Sequence, residues 1–440
     1  SVRPREGEPV DWTKVKNHLR ANRFTAGMYE NLKKKLTEPS AAAQSAVAEV
    51  QEIRARKVSL QDNALRINII VPSVDIKHVF GGISTALAFF EKLTSGFECL
   101  RRIIVTDAPV FKETMVELPE YYISDASDDT CKNCQIIPFS DRADKTIAVS
   151  ENDIFVATGW WTAYTIADVI RWQEDTYNVK NPLIYMVQDY EPGFYPWSSR
   201  YMMADSTYRL EIPTIVVINS EELKDFFDAN GYSFYRSFCY RPVLNNKLKE
   251  YLLELTKKAQ GKRKKQVLIY GRPGVERNAF ALIVDSLKRW VQLQEDIGEW
   301  SIISAGESFE DIDLGRGKVL HSIGKVSLKE YAEIMYETKA AISLMVSPHP
   351  SYPPLEMSTF GVKVITNCYG NKDLSDFNEN IISMTNCSSK EISVRLHELC
   401  NGEDGKCMLD SDYVKVADSM QWESVVKEIR ILLTSWSNRK

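Results

Sequence analysis

The sequence lacks the long apolar segments that mark membrane and exported proteins. No run of about 18 apolar residues occurs in its 440 residues, which argues against a helix that spans a bilayer. The first residues, SVRPREGEPVDW, contain no apolar core of the kind that a secretory signal has. We therefore expect a cytoplasmic protein, and peripheral contact with the inner face of a membrane stays open.

Cysteine and histidine are also scarce. The 8 cysteines are too few for a disulfide framework, so we expect reduced thiols. Cys131 and Cys134 form a single CxxC pair, and a structural zinc site would need two further ligands that do not lie nearby in the sequence. We interpret the pair as two surface-loop thiols. The 5 histidines form no cluster, and we expect no metal and no other cofactor.

The chain has no large excess of charge of either sign. A net charge of -5, with no arginine-rich segment, argues against a nucleic-acid partner. Hydrophobic residues make up 44% and charged residues 26%, a balance typical of globular proteins. The length predicts two domains rather than one core. The oligomeric state stays open, with a homodimer as one alternative.

Short apolar segments alternate with helical or loop segments over most of the chain. Such segments are typical of strands that are buried on both faces of a parallel sheet. Two series of them predict an α/β protein with two Rossmann-like, doubly wound domains that face a cleft. The predicted strands lie at 65–72, 101–106, 135–139, 153–158, 182–188 and 214–219, and then at 266–271, 300–306, 318–324, 340–346, 362–367 and 379–385.

The domain organisation follows from these two series. Residues 1–60 are rich in good helix formers, which predicts a helical N-terminal extension that reaches Lys57. We expect the first Rossmann-like domain at 61–240 and the second at 241–420. Residues 421–440 predict a helix that closes the second domain or crosses back onto the first. The basic run GKRKK, within the connection between the domains, is interpreted as a solvated turn.

The loops that follow strands carry the candidate site, because ligands of open α/β sheets bind beyond the carboxyl ends of the strands. Gly81 and Gly82 follow the first strand and begin a helix, where free N–H groups favour a diphosphate. Arg272 and Arg277 follow the strand QVLIYG, where two guanidinium groups can hold a pyrophosphate. A simple glycine turn and a pair of surface arginines are the alternatives.

Two further loops of the second domain extend this site. Lys325 and Val326 follow KVLHSIG, where they offer another positive charge and a backbone edge for a nucleobase. Glu356 follows a proline-rich loop and can accept hydrogen bonds from a ribose, although the helix dipole alone would also favour an acid in a first turn. We assign nucleotide-sugar binding to Gly81, Gly82, Arg272, Arg277, Lys325, Val326, His349, Ser351, Tyr352, Leu355 and Glu356.

The first domain offers aromatic and acidic residues at two strand ends. Aromatic faces stack on sugar rings, and a carboxylate can orient a hydroxyl or stabilise an oxocarbenium-like centre. We assign acceptor binding to Trp160, Trp161, Tyr164 and Tyr190, and catalysis to Asp189 and Glu191. An aromatic core with a capping acid is the alternative.

The second-domain loops, taken in order, resemble the signature of retaining GT-B glycosyltransferases, in particular glycosyltransferase family four. The resemblance runs from Leu65 to the final helix. It implies that the paired arginines hold the pyrophosphate, that residues 324–326 contact the base, and that Glu356 is the second, ribose-binding glutamate. Pro348, followed by His349, stands where the family has its first glutamate. The helix around Trp422 resembles the family's crossover onto the first domain.

A narrower resemblance rests on HPSYPPLEM, TGWWTAY at 158–164 and QDYEPGFYPW at 188–197. These segments are similar to the WsaF-like rhamnosyltransferases of bacterial S-layer and polysaccharide assembly. The resemblance implies dTDP-L-rhamnose as donor and a rhamnose-containing, lipid-linked glycan as acceptor. It also implies metal-independent transfer with retention, with the leaving phosphate assisting proton removal.

Three other interpretations remain. A nucleotide-sugar epimerase of GT-B fold would share the phosphate site, and a product assay without acceptor separates it from a transferase. A non-catalytic partner protein is favoured by the missing glutamate, and would bind no nucleotide. The DID segment at 311–313 has the spacing of a metal-binding DxD motif, but two aspartates at this spacing arise easily by chance, and we give it no role.

Overall fold

The computed structural model describes residues 47–74, 82–111, 118–127, 132–257, 261–417 and 422–437. The chain divides into two compact units, residues 1–51 and 52–440. Of the first unit only residues 47–51 are described, with a 3₁₀ turn at Ala48–Val50. Gly81, Cys131 and the predicted helices before residue 47 lie outside the described residues.

The second unit contains two parallel sheets with helices on their faces, which confirms the predicted fold class. The strands of its first half are β1 Ala55–Lys57, β2 Arg66–Val71, β3 Leu100–Val105, β4 Tyr122–Ile123, β5 Cys134–Pro138, β6 Ile147–Val149, β7 Asp153–Ala157, β8 Leu183–Val187, β9 Thr214–Asn219 and β10 Arg236–Tyr240. Those of its second half are β11 Lys264–Gly271, β12 Ser301–Gly306, β13 Ile312–Gly315, β14 Lys318–Gly324, β15 Thr338–Ile342, β16 Lys363–Asn367 and β17 Ile381–Met384.

The helices connect and cover these strands. They are α1 Gly82–Thr94, α2 Trp160–Tyr177, α3 Ser199–Ser206, α4 Glu221–Ala229, α5 Asn246–Thr256, α6 Phe280–Leu293, α7 Leu328–Glu337, α8 Tyr352–Thr359, α9 Ser389–Asn401, α10 Asp412–Lys415 and α11 Glu423–Ser437. Short 3₁₀ turns lie at Gln61–Asn63, Arg142–Asp144, Glu191–Phe194, Glu276–Asn278 and Ile297–Glu299.

Each sheet is the centre of one domain. The first sheet has 8 parallel strands in the order β10-β9-β8-β7-β2-β3-β5-β4. The second has 7 strands in the order β13-β14-β12-β11-β15-β16-β17, of which only the β13–β14 pair is antiparallel. In both sheets the order reverses next to the first central strand, and such a switch point opens a crevice at the carboxyl ends.

The central strands are buried on both faces, as their apolar sequences predict. Every residue of β2, β7, β8 and β9 is buried. Within this core, Arg66 forms an ion pair of 2.6 Å with Asp153 at the paired starts of β2 and β7. Burial acts to raise the pKa of Asp153, but the neighbouring Arg66 and Arg102 and hydrogen bonds lower it overall. This charged cluster fixes the register that brings the two strand ends to the cleft.

Several short strands contradict the sequence predictions. The predicted helix up to Lys57 is wrong at its end, because β1 pairs in parallel with β6 and overrides local helix propensity. Residues 236–240, where no strand was predicted, form the edge strand β10. These strands, together with β4 and β13, are too short or too polar to show the buried-strand pattern.

Two interpretations of polar segments are also wrong. Arg263 of the GKRKK run is 4% exposed rather than solvated. Its guanidinium donates hydrogen bonds to the carbonyls of Met335, Tyr336, Thr338, Phe360 and Gly405. Cys134 is a free cysteine and is 4% exposed, because it begins β5 instead of lying in a surface loop.

The C-terminal helix α11 packs on the first sheet. The Trp422 ring lies 4.1 Å from the Tyr240 ring and 5.3 Å from the Phe89 ring, measured between centroids. Arg430 donates hydrogen bonds of 2.9 Å to the carbonyls of Lys92 and Leu93 at the end of α1. The chain therefore returns to the first domain after completing the second.

None of the helices in the described ranges combines the length and apolarity that crossing a membrane requires.

Candidate functional site

A cleft of about 1350 Å³ separates the two sheets. Its lining comes mainly from loops that follow strand ends: Gly82 after β2, Gln188 and Asp189 after β8, Asn219 at the end of β9, Arg272 after β11, Gly306 and Glu307 at β12, and Gly324 and Lys325 at β14. Both domains therefore direct their carboxyl-end loops into one cavity, as the switch-point geometry predicts.

Two glycines allow the second-domain loops to lie close together. Gly306 has a φ of 127°, and a Cβ there would lie 2.4 Å from the carbonyl oxygen of Gly271. Gly324 has a φ of 62°, and a Cβ there would lie 2.4 Å from the Ser308 hydroxyl. A side chain at either position would push the strand ends apart, so the cleft floor depends on these residues.

The basic residues predicted for the pyrophosphate differ in their surroundings. Arg272 lies on the cleft wall with a side chain 39% exposed, and its Nε is 3.4 Å from Glu307 Oε1. Lys325 also lines the cleft. Arg277 lines it too, but its guanidinium is paired with Asp189 and lies 3.9 Å from the centre of the Phe194 ring. Arg272 and Lys325 are therefore the more accessible cations.

Glu356 faces the same cavity, and its carboxyl group has a raised pKa. It lies in α8 beyond the first turn, so the helix-dipole explanation for an acid at this place is weakened. Burial raises the pKa of Glu356 to about 7. No residue in the described part of the chain donates a hydrogen bond to its carboxylate. A desolvated carboxylate without a donor is suited to bind ligand hydroxyl groups.

Asp189 joins the two domains across the cleft. It follows β8 of the first domain, and its carboxylate accepts hydrogen bonds from Arg277 and from Ser347 of the second domain. Its Oδ1 also accepts a hydrogen bond of 2.8 Å from the N–H of Tyr190. Burial acts to raise the pKa of Asp189, but Arg277, His349 and these hydrogen bonds lower it overall. The side chain predicted to be catalytic is thus ionised and already fully occupied in this conformation.

The loop after β15 carries His349 on the cleft wall. The histidine side chain is 7% exposed, and its Nδ1 accepts a hydrogen bond of 3.0 Å from the N–H of Ser351. Tyr352, next to it, accepts a hydrogen bond of 3.1 Å from Asn219 of the first domain. Ser351 and Tyr352 both line the cleft, together with Val326.

Six of the predicted site residues do not line the cleft: Trp160, Trp161, Tyr164, Tyr190, Glu191 and Leu355. Trp160 is fully buried, and its indole N–H donates to the Tyr195 hydroxyl at 2.9 Å. Tyr190 is 9% exposed inside an aromatic cluster with Tyr208 and Tyr232. These two side chains have no free face for a sugar, and the interpretation of an aromatic core is correct for them.

Leu355 and Glu191 are also buried away from the cleft. Leu355 is 3% exposed and belongs to a hydrophobic core cluster of the second domain. Glu191 accepts a hydrogen bond of 3.1 Å from the Tyr185 hydroxyl, and burial raises its pKa to about 8. It is therefore protonated below that pH and acts as a buried neutral acid rather than as a group that touches a ligand.

Two residues beneath the site were not predicted from the sequence. Ser347 connects Asp189 to the His349 loop, since its hydroxyl also accepts the N–H of His349 at 3.0 Å. Lys372 is fully buried and donates to the Met345 carbonyl at 2.8 Å. Burial lowers its pKa to about 8. Only the proximity of Ser347 to the prolines of its loop could have drawn attention to it.

The described residues contain no group of three His, Cys, Asp or Glu side chains that could hold a metal ion. In the DID segment, Asp311 pairs with His321 at 2.7 Å, and Asp313 accepts the N–H of Gly315. Neither aspartate lines the cleft.

Two family models match this chain, one on each sheet. The model described as WsaF, N-terminal domain, matches residues 66–221, and the model described as WsaF, C-terminal domain, matches residues 265–397. The chain belongs to the GT-B glycosyltransferases of WsaF type. The resemblance inferred from the loop sequences is confirmed.

One curated relative is RfbC of Myxococcus xanthus, described as an O-antigen biosynthesis protein. It is 23% identical over 354 residues, which are 80% of this chain and 26% of that protein. The WsaF-type chain thus spans about a quarter of the length of this relative.

Solved structures that are similar to this chain include HepE of Anabaena, in complex with UDP-glucose. It has a TM-score of 0.50 at 11% identity, over 86% of this chain and 100% of that one. Sucrose-phosphate synthase of Thermosynechococcus elongatus has a TM-score of 0.49 at 11% identity, with the same coverage. The HepE superposition agrees with the GT-B architecture.

Proposed function

We propose that this WsaF-type enzyme transfers L-rhamnose from dTDP-β-L-rhamnose to a rhamnose-containing, lipid-linked glycan, with retention and without a metal ion. The observation that carries the proposal is that Arg272, Lys325 and Glu356, which are far apart in sequence, line one cavity. The identity of the base and the sugar comes from the resemblance to WsaF-like enzymes. The description of RfbC as an O-antigen biosynthesis protein supports a glycan acceptor.

The cavity supports this reaction electrostatically. Arg272 and Lys325 hold the pyrophosphate and stabilise the negative charge that develops on the leaving nucleotide, a task that a metal ion performs in other enzymes. Glu356 accepts a hydrogen bond from the 3′ hydroxyl of the nucleotide sugar ring, which a deoxyribonucleotide also has. The two domains exclude water from the transferred group when they close on it.

The acceptor enters from the first-domain side of the cleft. Gly82 and Gln188 form that wall, and the Gln188 amide donates to the Gly82 carbonyl at 2.7 Å. Because Asp189 is occupied by Arg277 and Ser347, we assign it a role in joining the domains rather than in removing the acceptor proton. The departing phosphate then takes that proton, which is consistent with retention.

A calorimetric titration with dTDP, UDP, GDP and their sugar conjugates tests the donor assignment. We expect dTDP and dTDP-rhamnose to bind more tightly than the others, and the loaded protein to release rhamnose slowly to water without an acceptor. Binding of none of these nucleotides would support a non-catalytic partner protein and contradict the proposal. Isomerised nucleotide sugar in the absence of acceptor would instead identify an epimerase.

An Arg272→Ala variant tests the pyrophosphate site. Removing a charge-assisted contact with a phosphate is expected to weaken dTDP binding by about tenfold to fiftyfold. Exposure of the Arg272 side chain to solvent limits the size of this effect. The matched control is Arg289→Ala, because Arg289 is 54% exposed and pairs with Asp285 on α6, outside the cleft. Equal nucleotide affinity in the two variants would show that the pyrophosphate lies elsewhere.

A further inference from the structure

His349 is a buried polar side chain of the cleft wall, 7% exposed, that lacks a complete set of partners. Its Nδ1 accepts the N–H of Ser351, and its Nε2 is buried without any hydrogen-bond partner in the described part of the chain. A buried donor left unpaired costs about 1–3 kcal/mol, so such a group in a cavity wall indicates a site for a ligand atom.

The backbone holds the ring in one tautomer. Ser351 has a φ of 69°, a left-handed conformation that is uncommon for a residue with a side chain. This turn directs the Ser351 N–H back at Nδ1, so the ring accepts there and carries its proton on Nε2. The strained backbone conformation of Ser351 therefore holds its N–H donor in a fixed position.

Burial keeps the ring neutral, and two nearby cations add to its effect. Burial lowers the pKa of His349 to about 4; Asp189 opposes this shift, and Lys372 and Arg277 add to it. The ring of Tyr352 lies beside the imidazole, with its centroid 5.7 Å away. A neutral imidazole at physiological pH has one hydrogen-bond donor and carries no charge, which suits a neutral sugar hydroxyl better than a phosphate.

The position of His349 also fits the transferred sugar. Its loop is joined to Asp189 of the first domain through Ser347. The predicted pyrophosphate contact Arg272 lies on another loop of the second domain, and the predicted ribose contact Glu356 lies in helix α8, which follows the His349 loop. The transferred sugar must lie between the leaving pyrophosphate and an acceptor held by the first domain. His349 is at that boundary between the domains.

We propose that the Nε2–H of His349 donates a hydrogen bond to a hydroxyl oxygen of the transferred sugar and thereby positions it for attack. This inference rests on the proposed function, because it requires a nucleotide sugar in the cleft. The proposed donor follows directly after Pro348, which stands where the resembling family has its first glutamate.

Two substitutions separate the nitrogens of the ring. In His349→Asn, the amide reaches the place of Nδ1 and can still accept from Ser351, but nothing reaches the place of Nε2. In His349→Gln, the amide N–H₂ reaches the place of Nε2. We expect the Asn variant to bind dTDP-rhamnose about tenfold more weakly with dTDP affinity unchanged, and the Gln variant to retain most of the sugar-dependent affinity.

The control is His321→Asn, because His321 is 58% exposed, pairs with Asp311 and does not line the cleft. Equal weakening of dTDP and dTDP-rhamnose in the Asn variant would place Nε2 on the phosphate and overturn the inference. Unchanged affinities in both His349 variants would overturn it as well. If the unaltered protein binds neither dTDP nor dTDP-rhamnose, the proposed function itself is contradicted. That result differs from the two outcomes that overturn only the inference about His349. Thermal unfolding of each variant checks that the fold is retained, and the Gln variant tests the same atom if the Asn variant unfolds.

Discussion

An Asp189→Asn variant is expected to transfer sugar more than a hundredfold more slowly than the unaltered protein. Asp189 belongs to the first domain, and its carboxylate accepts hydrogen bonds from Arg277 and Ser347 of the second domain. Removing one partner of a largely buried ion pair leaves the other charge uncompensated, which costs about 3–5 kcal/mol in enclosed sites. The Asp189 and Arg277 side chains are 17% and 18% exposed, so we expect the lower part of that range.

The effect of this substitution on binding should differ from its effect on transfer. Without Asp189, Arg277 is free to turn towards the pyrophosphate, so dTDP affinity should be unchanged or slightly higher. The rate should fall because loss of the ion pair with Arg277 weakens the contact between the two domains at the cleft. Single-turnover kinetics and calorimetric titration of dTDP measure the two quantities separately.

Asp168→Asn is the control for Asp189→Asn. Asp168 forms an exposed ion pair of 2.8 Å with Arg171 on α2, and such pairs contribute about 0–1 kcal/mol. We expect this variant to behave as the unaltered protein does. Near-normal transfer by Asp189→Asn would contradict the role of Asp189 as the junction between the domains.

A Glu356→Gln variant is expected to be more stable than the unaltered protein at pH 8 and yet to bind nucleotide less well. Burial raises the pKa of Glu356 to about 7 in the folded protein, from 4.5. Below pH 4.5 the carboxyl group is protonated in both states and contributes nothing. Between pH 4.5 and 7 the unfolded state ionises first, so the wild-type side chain increasingly destabilises the fold, and above pH 7 the full penalty is present.

Glutamine stays neutral and removes this penalty. We expect a gain of about 3 kcal/mol in the free energy of unfolding at pH 8, which disappears by pH 4. The same substitution should weaken dTDP binding by about tenfold, because a charged acceptor for the sugar hydroxyl is lost. Denaturant unfolding at several pH values and calorimetric titration at pH 8 measure the two effects.

The control for Glu356→Gln is Glu333→Gln, since Glu333 is exposed on α7 and does not line the cleft. A stability gain that is the same at pH 4 and pH 8 would show that ionisation of Glu356 is not its cause. Undiminished dTDP affinity would remove Glu356 from the nucleotide site.

The fold was largely predictable because its central strands are buried on both faces. Segments such as RINIIV and TIVVIN are mostly apolar, and that composition is visible in the sequence. The short strands at Ala55–Lys57 and Arg236–Tyr240 were missed, because they form through pairing with a neighbour and not through their own composition. Arg263 was misread for the same reason, since its partners are carbonyls of distant segments.

The residues of the candidate site were predictable only where the position of a residue after a strand determines whether its side chain is exposed to the cleft. Residues directly after a strand, such as Arg272, Lys325 and Asp189, do line the cleft. Trp160 does not follow its strand directly, because β7 ends at Ala157. It begins helix α2, and its side chain is buried in the core. Sequence patterns show where a strand ends, but not which side of the following turn meets solvent.

By itself, the sequence determined the alternation of strands and helices, the two-domain organisation of the sheets, and the family to which the chain belongs, because these depend on local composition and on the order of motifs. Only the tertiary structure decided which charges meet. Arg277 is 88 residues from Asp189 and Ser347 is 158 residues from it, yet one carboxylate accepts hydrogen bonds from both. Such contacts arise from the packing of the two sheets, and their strength depends on burial, which no stretch of sequence specifies on its own.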